Sequence, residues 1–209
     1  MRTLKVILII LNLCSFEFVV ASGIDLESAS ITLALTFEPP NLDSSKSTDT
    51  VSSLILRMTH ERLVEMDKRG KIIPGVAERW SREGLEVTFW LRKEAQWADG
   101  VPLTAHDFVY AMQRLVDPVT AASGSTFFAY IIENALEILS GNLPPEKLGV
   151  RAVSDHVLKI KLSMPAPYYL SVFSSVNFGP LRQDFVESQD GRYAADAKNS
   201  LGNGPYLLA

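Results

Sequence analysis

The sequence predicts a mixed α/β fold, and three stretches carry that prediction. Leu85, Val87, Phe89 and Leu91 alternate with Glu86, Thr88, Trp90 and Arg92, the period of a strand with one face against a core. From Thr104 onward, Phe108, Ala111, Met112 and Leu115 recur at helical spacing behind a Thr-x-x-Asp start. Residues 148–153 and 157–162 alternate apolar side chains with Arg or Lys on either side of Ser154-Asp155, the pattern of a hairpin. Internal repeats and low-complexity stretches are absent from the sequence.

The first 21 residues read as an address rather than as part of the fold. Arg2 and Lys5 form a positive region, Val6 to Leu13 an apolar one, and Val19-Val20-Ala21 before Ser22 a cleavage site for a secretory leader. A membrane anchor is the rival reading, but Asn12 and Glu17 interrupt the apolar run well short of the roughly 20 residues a span requires. Cys14 follows Leu13, which is too bulky for a usual lipoprotein site, so a soluble periplasmic product is expected.

Next in order, Ser30 to Thr36 has the character of a first strand, and Glu38-Pro39-Pro40 forms the loop after it. A helix is expected from about Val51 to Met66, with Val51, Leu54, Ile55, Met58 and Leu63 on its apolar side and Arg57, Glu61 and Arg62 in water. The strand ending at Leu91 meets a turn at Ala98-Asp99-Gly100, where Asp bonds nearby backbone and Gly accepts positive φ, and Pro102 stiffens the exit. Thr104 caps the following helix, Asp107 stands in its first turn, and Asp117-Pro118 ends it. Phe127 to Leu139 reads as a second amphipathic helix closed by Ser140-Gly141-Asn142. After the hairpin, Pro165-Ala166-Pro167 breaks the ladder before a short helix from about Tyr168. The final Tyr206-Leu207-Leu208-Ala209 has the look of a strand without a capping turn, and an apolar edge of that kind needs a partner.

Composition narrows the partners. A net charge of −4 with no basic run lacks the footprint of a nucleic-acid binder. Cys14 is the single cysteine and leaves with the leader, so the mature chain relies on its apolar core, for which 47% hydrophobic residues are ample.

The block from Gly75 to Arg114 (GVAERWSREGLEVTFWLRKEAQWADGVPLTAHDFVYAMQR) resembles the signature region of the periplasmic solute-binding proteins that serve peptide and nickel ABC transporters, nearest to the oligopeptide-binding branch. The resemblance extends through Glu38-Pro39 with Leu42-Asp43, Pro74 to Glu78, Asp117-Pro118, Leu148-Gly149-Val150, Ser163 to Tyr169 and Gly202-Asn203-Gly204-Pro205-Tyr206. It implies a type II, periplasmic-binding-protein-like fold of two α/β lobes that close on a ligand by hinge motion, with an extra inserted domain. Residues 22–59 and 184–209 would form parts of the first lobe and 60–183 the inserted small α/β domain. Family members are much longer, so the chain is expected to be an amino-terminal fragment without the second lobe.

The resemblance also implies a ligand and its contacts. Counting from Leu42-Asp43 places the extended segment that pairs with a peptide main chain at Thr48-Asp49-Thr50. A capping role for Thr48 or Thr50 at the helix beginning near Val51 is an equal reading of those side chains. Gly124 stands where peptide binders of this branch often place an aromatic ring, which leaves dipeptides, oligopeptides, opines, heme and nickel chelates open as ligands. The implied partners are a short peptide and an inner-membrane ABC permease, with a monomeric protein and no cofactor.

A secreted hydrolase is the rival from another class, and the residues give it little. His60, on the polar side of the expected helix, His106 and His156 are far apart, without the spacing or cysteine company of a metal site. Ser123-Gly124-Ser125 lacks the Gly-x-Ser-x-Gly frame of a nucleophile elbow and reads as a loop. Asp99 and Asp107 are explained as turn and cap residues, and Trp80, Phe89, Trp90 and Trp97 as packing aromatics, so no enzymatic activity is expected.

Overall fold

The computed structural model describes residues 23–25, 27, 29–122 and 130–208. The chain divides into two units, Met1–Glu38 and Pro39–Ala209. In the first, β1 (Gly23–Asp25) and β2 (Ser30–Thr32) form an antiparallel hairpin with Ile24 opposite Ile31. The expected strand thus stops at Thr32, because the ladder ends where β1 begins at Gly23.

The second unit is built around a four-stranded antiparallel sheet in the order β5-β6-β8-β7. Its strands are β5 (Ala77–Glu83), β6 (Glu86–Leu91), β7 (Val150–Ser154) and β8 (Val157–Lys161). The alternation expected in β6 is realised: Val87, Phe89 and Leu91 are buried, and Glu86, Thr88 and Trp90 lie on the half-covered face. The hairpin of β7 and β8 also forms, with its turn at Asp155 and His156 and a register shift between Ala152 and Ser154 that leaves Val153 exposed.

Helix α2 (Ala105–Val116) packs along β7 and β8 and buries Phe108, Ala111, Met112 and Leu115, the predicted stripe. Phe173 fills the space beside the sheet, edge-on to Phe89 at 6.0 Å and to Phe178 at 5.2 Å. Each of these fully buried rings contributes roughly 2–3 kcal/mol through burial, and the edge-to-face contacts add to it.

Three expected elements are corrected. Helix α1 (Thr50–Thr59) ends at Thr59 rather than near Met66, and Val64–Met66 forms β3, paired with β4 (Ile72–Pro74). The cause is tertiary. The Met58 and Thr59 carbonyls accept from Tyr206 N–H at 3.2 Å and Gly204 N–H at 2.9 Å, while Arg62 and Leu63 carbonyls accept from Val76 and Ala77. These carbonyls are committed to distant chain, so the helix has no reason to continue.

The buried side of α1 is also rotated. Ser52, Ile55, Leu56 and Thr59 are inside, Leu54 is exposed, and Val51 and Met58 are half-buried. The second helix is likewise shorter than expected: α3 spans Ala135–Leu139, preceded by Asn134 at φ 67. Glu133 donates its N–H to Lys161 and accepts from Gly149, so its backbone belongs to the sheet edge rather than to a helix. The Phe127–Ala129 part of that expected helix lies outside the described residues. Tyr206–Leu208 likewise join no ladder among the described residues.

The carboxy-terminal segment reaches α1 only because it is glycine-rich. A Cβ on Gly202 would meet the Thr59 carbonyl oxygen at 2.2 Å, and one on Gly204 would meet the Thr59 carbonyl carbon at 2.6 Å. Short helices α4 (Tyr169–Phe173) and α5 (Gln183–Ser188) complete the unit.

Candidate functional site

The segment from Asp43 to Thr50 is polar, yet Asp43, Ser44, Ser45 and Ser47 are all buried. Buried polar chain demands partners, and two residues far along the sequence supply most of them, while the Ser44 and Ser47 hydroxyls have no partner among the described residues. Arg114, on α2, donates to both carboxylate oxygens of Asp43 at 2.8 and 2.7 Å, and its Nη1 also reaches Ser45 Oγ at 2.8 Å. Such a two-point ion pair is directional as well as strong. Its outer edge is covered by Tyr193, whose ring centre is 5.8 Å from the guanidinium carbon.

Asn177 holds two of the loop's carbonyls. Its Nδ2 donates to the Ser44 carbonyl at 2.7 Å and the Ser47 carbonyl at 3.0 Å, and its Oδ1 accepts from Ser175 Oγ at 3.1 Å. Inside the loop, Asp43 Oδ1 takes the Ser45 N–H at 3.0 Å, and the Asp43 carbonyl takes the N–H groups of Lys46 and Ser47 at 2.9 Å each.

The chain then emerges at the three residues singled out from the sequence. Asp49 is extended, at φ −103 and ψ 162, and its carboxylate accepts from Ser52 N–H at 2.8 Å, which makes it the N-cap of α1. Hydrogen bonding from Ser52 holds this carboxyl below its ordinary pKa. The capping role weighed for Thr48 or Thr50 therefore falls to Asp49, while Thr48 and Thr50 are exposed.

Among the described residues, no turn or loop hydrogen bond uses the Thr48 N–H or C=O. Thr50 occupies the first helical position, where the N–H has no partner within the helix. Because Asp49 between them is extended, the Thr48 C=O and the Thr50 N–H face the same side. Thr48 and Thr50 together thus make a short main-chain edge with open donors and an open acceptor. Gly124 and the Ser123–Ser125 loop lie outside the described residues.

The residues weighed for catalysis have structural partners. Asp99 accepts from Val101 N–H at 3.2 Å and pairs with Arg182 at 2.5 Å. Asp107 accepts from Thr104 N–H at 2.7 Å, the reciprocal half of a capping box. His60, placed by the sequence on a polar helix side, is instead buried at the end of α1, with Nδ1 2.9 Å from Thr59 Oγ1. Burial first, then the charge of Arg62, lowers its pKa to about 4, so the ring is neutral.

Phe89 and Trp97 are core residues, whereas Trp90 lies on the outer sheet face under the Arg79 guanidinium at 3.8 Å. A polar cleft of about 300 Å³ beside Glu61, Arg92 and Asn203 has these groups tied to one another: Arg92 bonds Glu61 at 2.5 Å, and Asn203 exchanges two bonds with the Glu61 backbone. Among the described residues, no three His, Cys, Asp or Glu side chains gather as a metal site, and no helix is long and apolar enough to cross a membrane.

Asn177 and Ser45 were not singled out by the sequence. Asn177 left one signal, an amide set between Val176 and Phe178 in a run that is otherwise apolar or small. A buried amide in such a run must bond something, but the sequence does not say what.

The chain is 41% identical over 173 residues to the periplasmic murein peptide-binding protein MppA of Escherichia coli (strain K12), covering 82% of this chain and 32% of that protein. Among solved structures, it is similar to the substrate-binding domain of an oligopeptide ABC transporter from Bacillus anthracis, with TM-score 0.80, 41% identity, and coverage of 82% of this chain and 33% of that one. Listeria monocytogenes OppA bound to peptide matches with TM-score 0.79 and 38% identity, over 81% of this chain and 34% of its own. The chain thus spans about a third of the length of the relatives it matches. The profile of the bacterial extracellular solute-binding proteins, family 5 (middle region), matches residues 71–209, and the chain belongs to that family.

Proposed function

We propose that this chain is part of the solute-binding component of a peptide ABC transporter, which captures short peptides in the periplasm and delivers them to an inner-membrane permease. The observation that carries this reading is the exposed edge at Thr48 and Thr50, held out from a buried polar loop by Arg114 and Asn177. Backbone groups are the same in every peptide, so recognition through them tolerates many side chains. The relatives named for murein peptide and oligopeptide binding support the same ligand class. The protein acts as a monomeric binder without a cofactor or an enzymatic step, and it reaches the periplasm through a cleaved leader.

Calorimetry on the complete protein with a pool of di- to pentapeptides tests the reading, with a nickel chelate and an opine titrated in parallel. Peptide binding at micromolar Kd or tighter is expected. Binding of the chelate or the opine, with none of the peptides, would contradict it.

A further inference from the structure

We propose that Asn177 is the positioning residue that sets the direction of the Thr48 N–H donor, an inference that rests on the peptide-binding reading of this edge. The Ser47 carbonyl and the Thr48 N–H belong to one peptide group, and that group is planar and trans. Its oxygen and hydrogen therefore point in opposite directions. Asn177 Nδ2, 3.0 Å from the Ser47 oxygen, fixes one side of this plane and so turns the N–H away from the protein interior.

The amide itself has little freedom. Its second donor contact, to Ser44 O at 2.7 Å, and the Ser175 hydroxyl on its Oδ1 at 3.1 Å leave a single orientation that satisfies all three bonds. Asp49 fixes the other end of the edge: its carbonyl is taken by Ser53 N–H at 3.1 Å, which aims the Thr50 N–H out of the start of α1. The two open donors are thus locked by two different residues. Arg114 anchors the loop as a whole through Asp43 and Ser45, whereas among the described residues it is Asn177 that acts on the peptide group next to the ligand edge. The ordering of this edge is completed during folding and does not have to be supplied by the ligand, which is how preorganisation raises affinity.

The test uses the complete protein with Asn177→Ala, Asn177→Asp and Ser175→Ala, and with Thr48→Pro as the control that deletes the donor. For each, the Kd for one tripeptide, the urea midpoint and the position of the Thr48 amide in a ¹⁵N spectrum are measured. Asn177→Ala is expected to weaken binding about tenfold and to shift the Thr48 amide resonance in the ligand-free protein. Asn177→Asp, whose carboxylate cannot donate to the two carbonyls, is expected to lose more, and Ser175→Ala less, in the same direction. A lowered urea midpoint with unchanged Kd and an unmoved Thr48 resonance would overturn the positioning role, and the same result in Ser175→Ala would overturn it if the Asn177 variants fail to fold. Unchanged Kd in Asn177→Ala with binding lost in Thr48→Pro defeats only the role of Asn177. Unchanged Kd in Thr48→Pro defeats the reading of the edge, and the inference with it.

Discussion

Arg114 grips Asp43 across 71 positions of sequence with two hydrogen bonds of 2.8 and 2.7 Å, and both side chains are largely withdrawn from water. This pair joins α2 to the loop that leads into the proposed ligand edge at Thr48 and Thr50. Removing one partner leaves the other charge buried and unpaired. Arg114→Ala is therefore expected to cost roughly 3–5 kcal/mol in urea unfolding of the complete protein. Arg114→Lys keeps the charge, but one ammonium cannot serve both carboxylate oxygens and Ser45 in the same geometry, so an intermediate loss is expected. Equal midpoints for wild type and Arg114→Ala would show that the pair is not needed for the fold.

Gly204 lies against the end of α1, and an added Cβ would stand 2.6 Å from the Thr59 carbonyl carbon and 2.7 Å from the His60 nitrogen. Both are backbone atoms of a packed helix terminus and cannot swing aside. Gly204→Ala is expected to lower stability by about 2 kcal/mol or more, read as a drop in Tm of several degrees. Gly84→Ala is the comparison: its φ of +60 is strained for Ala, but nothing lies within 4 Å, so its cost should be about 1 kcal/mol.

The capping box at α2 separates structure from function in the most recognisable part of the sequence. Thr104 N–H donates to Asp107 Oδ2 at 2.7 Å, and the Thr104 hydroxyl lies 3.3 Å from the same oxygen. Thr104→Ala should lower stability by about 1 kcal/mol, and Asp107→Ala by more, because the second change also orphans a backbone donor. Tripeptide affinity should be unaltered in Thr104→Ala. Abolished binding with unaltered stability would make this turn part of the ligand site.

His60 predicts a pH dependence with a definite sign. Its folded pKa of about 4 lies below the ordinary value of 6.5, so between these values the unfolded chain holds a proton that the folded chain does not. The stabilising contribution is complete above pH 6.5 and is lost as pH falls toward 4, by about 3 kcal/mol in all. Urea midpoints of wild type and His60→Gln at pH 7.5, 5.5 and 4.5 isolate it from the carboxylates, which titrate in both. The wild-type curve should fall more steeply; parallel curves would show that His60 charges freely in the fold.

What could be read from the sequence was local. The alternation from Leu85 to Leu91, the Thr-x-x-Asp start at Thr104 and the turn around Asp155 are each encoded within a few residues, and each forms. The end of α1 was not legible, because Thr59 and Met58 are capped by Gly204 and Tyr206, almost 150 positions away. The clamp was hidden for the same reason: nothing near Asp43 announces Arg114, and nothing near Ser47 announces Asn177. The cap weighed at Thr48 or Thr50 falls instead to Asp49. The choice of Asp49 follows from its extended backbone, which brings the carboxylate to Ser52 N–H.

Main-chain recognition at Thr48 and Thr50 is tested most directly by the ligand's own backbone. The complete protein would be titrated calorimetrically with a tripeptide, with the same tripeptide N-methylated at each internal amide, and with side-chain variants of unmodified backbone. A main-chain edge requires the methylated ligand to bind at least about tenfold more weakly, while the side-chain variants stay within a few-fold of the parent. Equal affinity for the methylated ligand, with large losses among the side-chain variants, would contradict it.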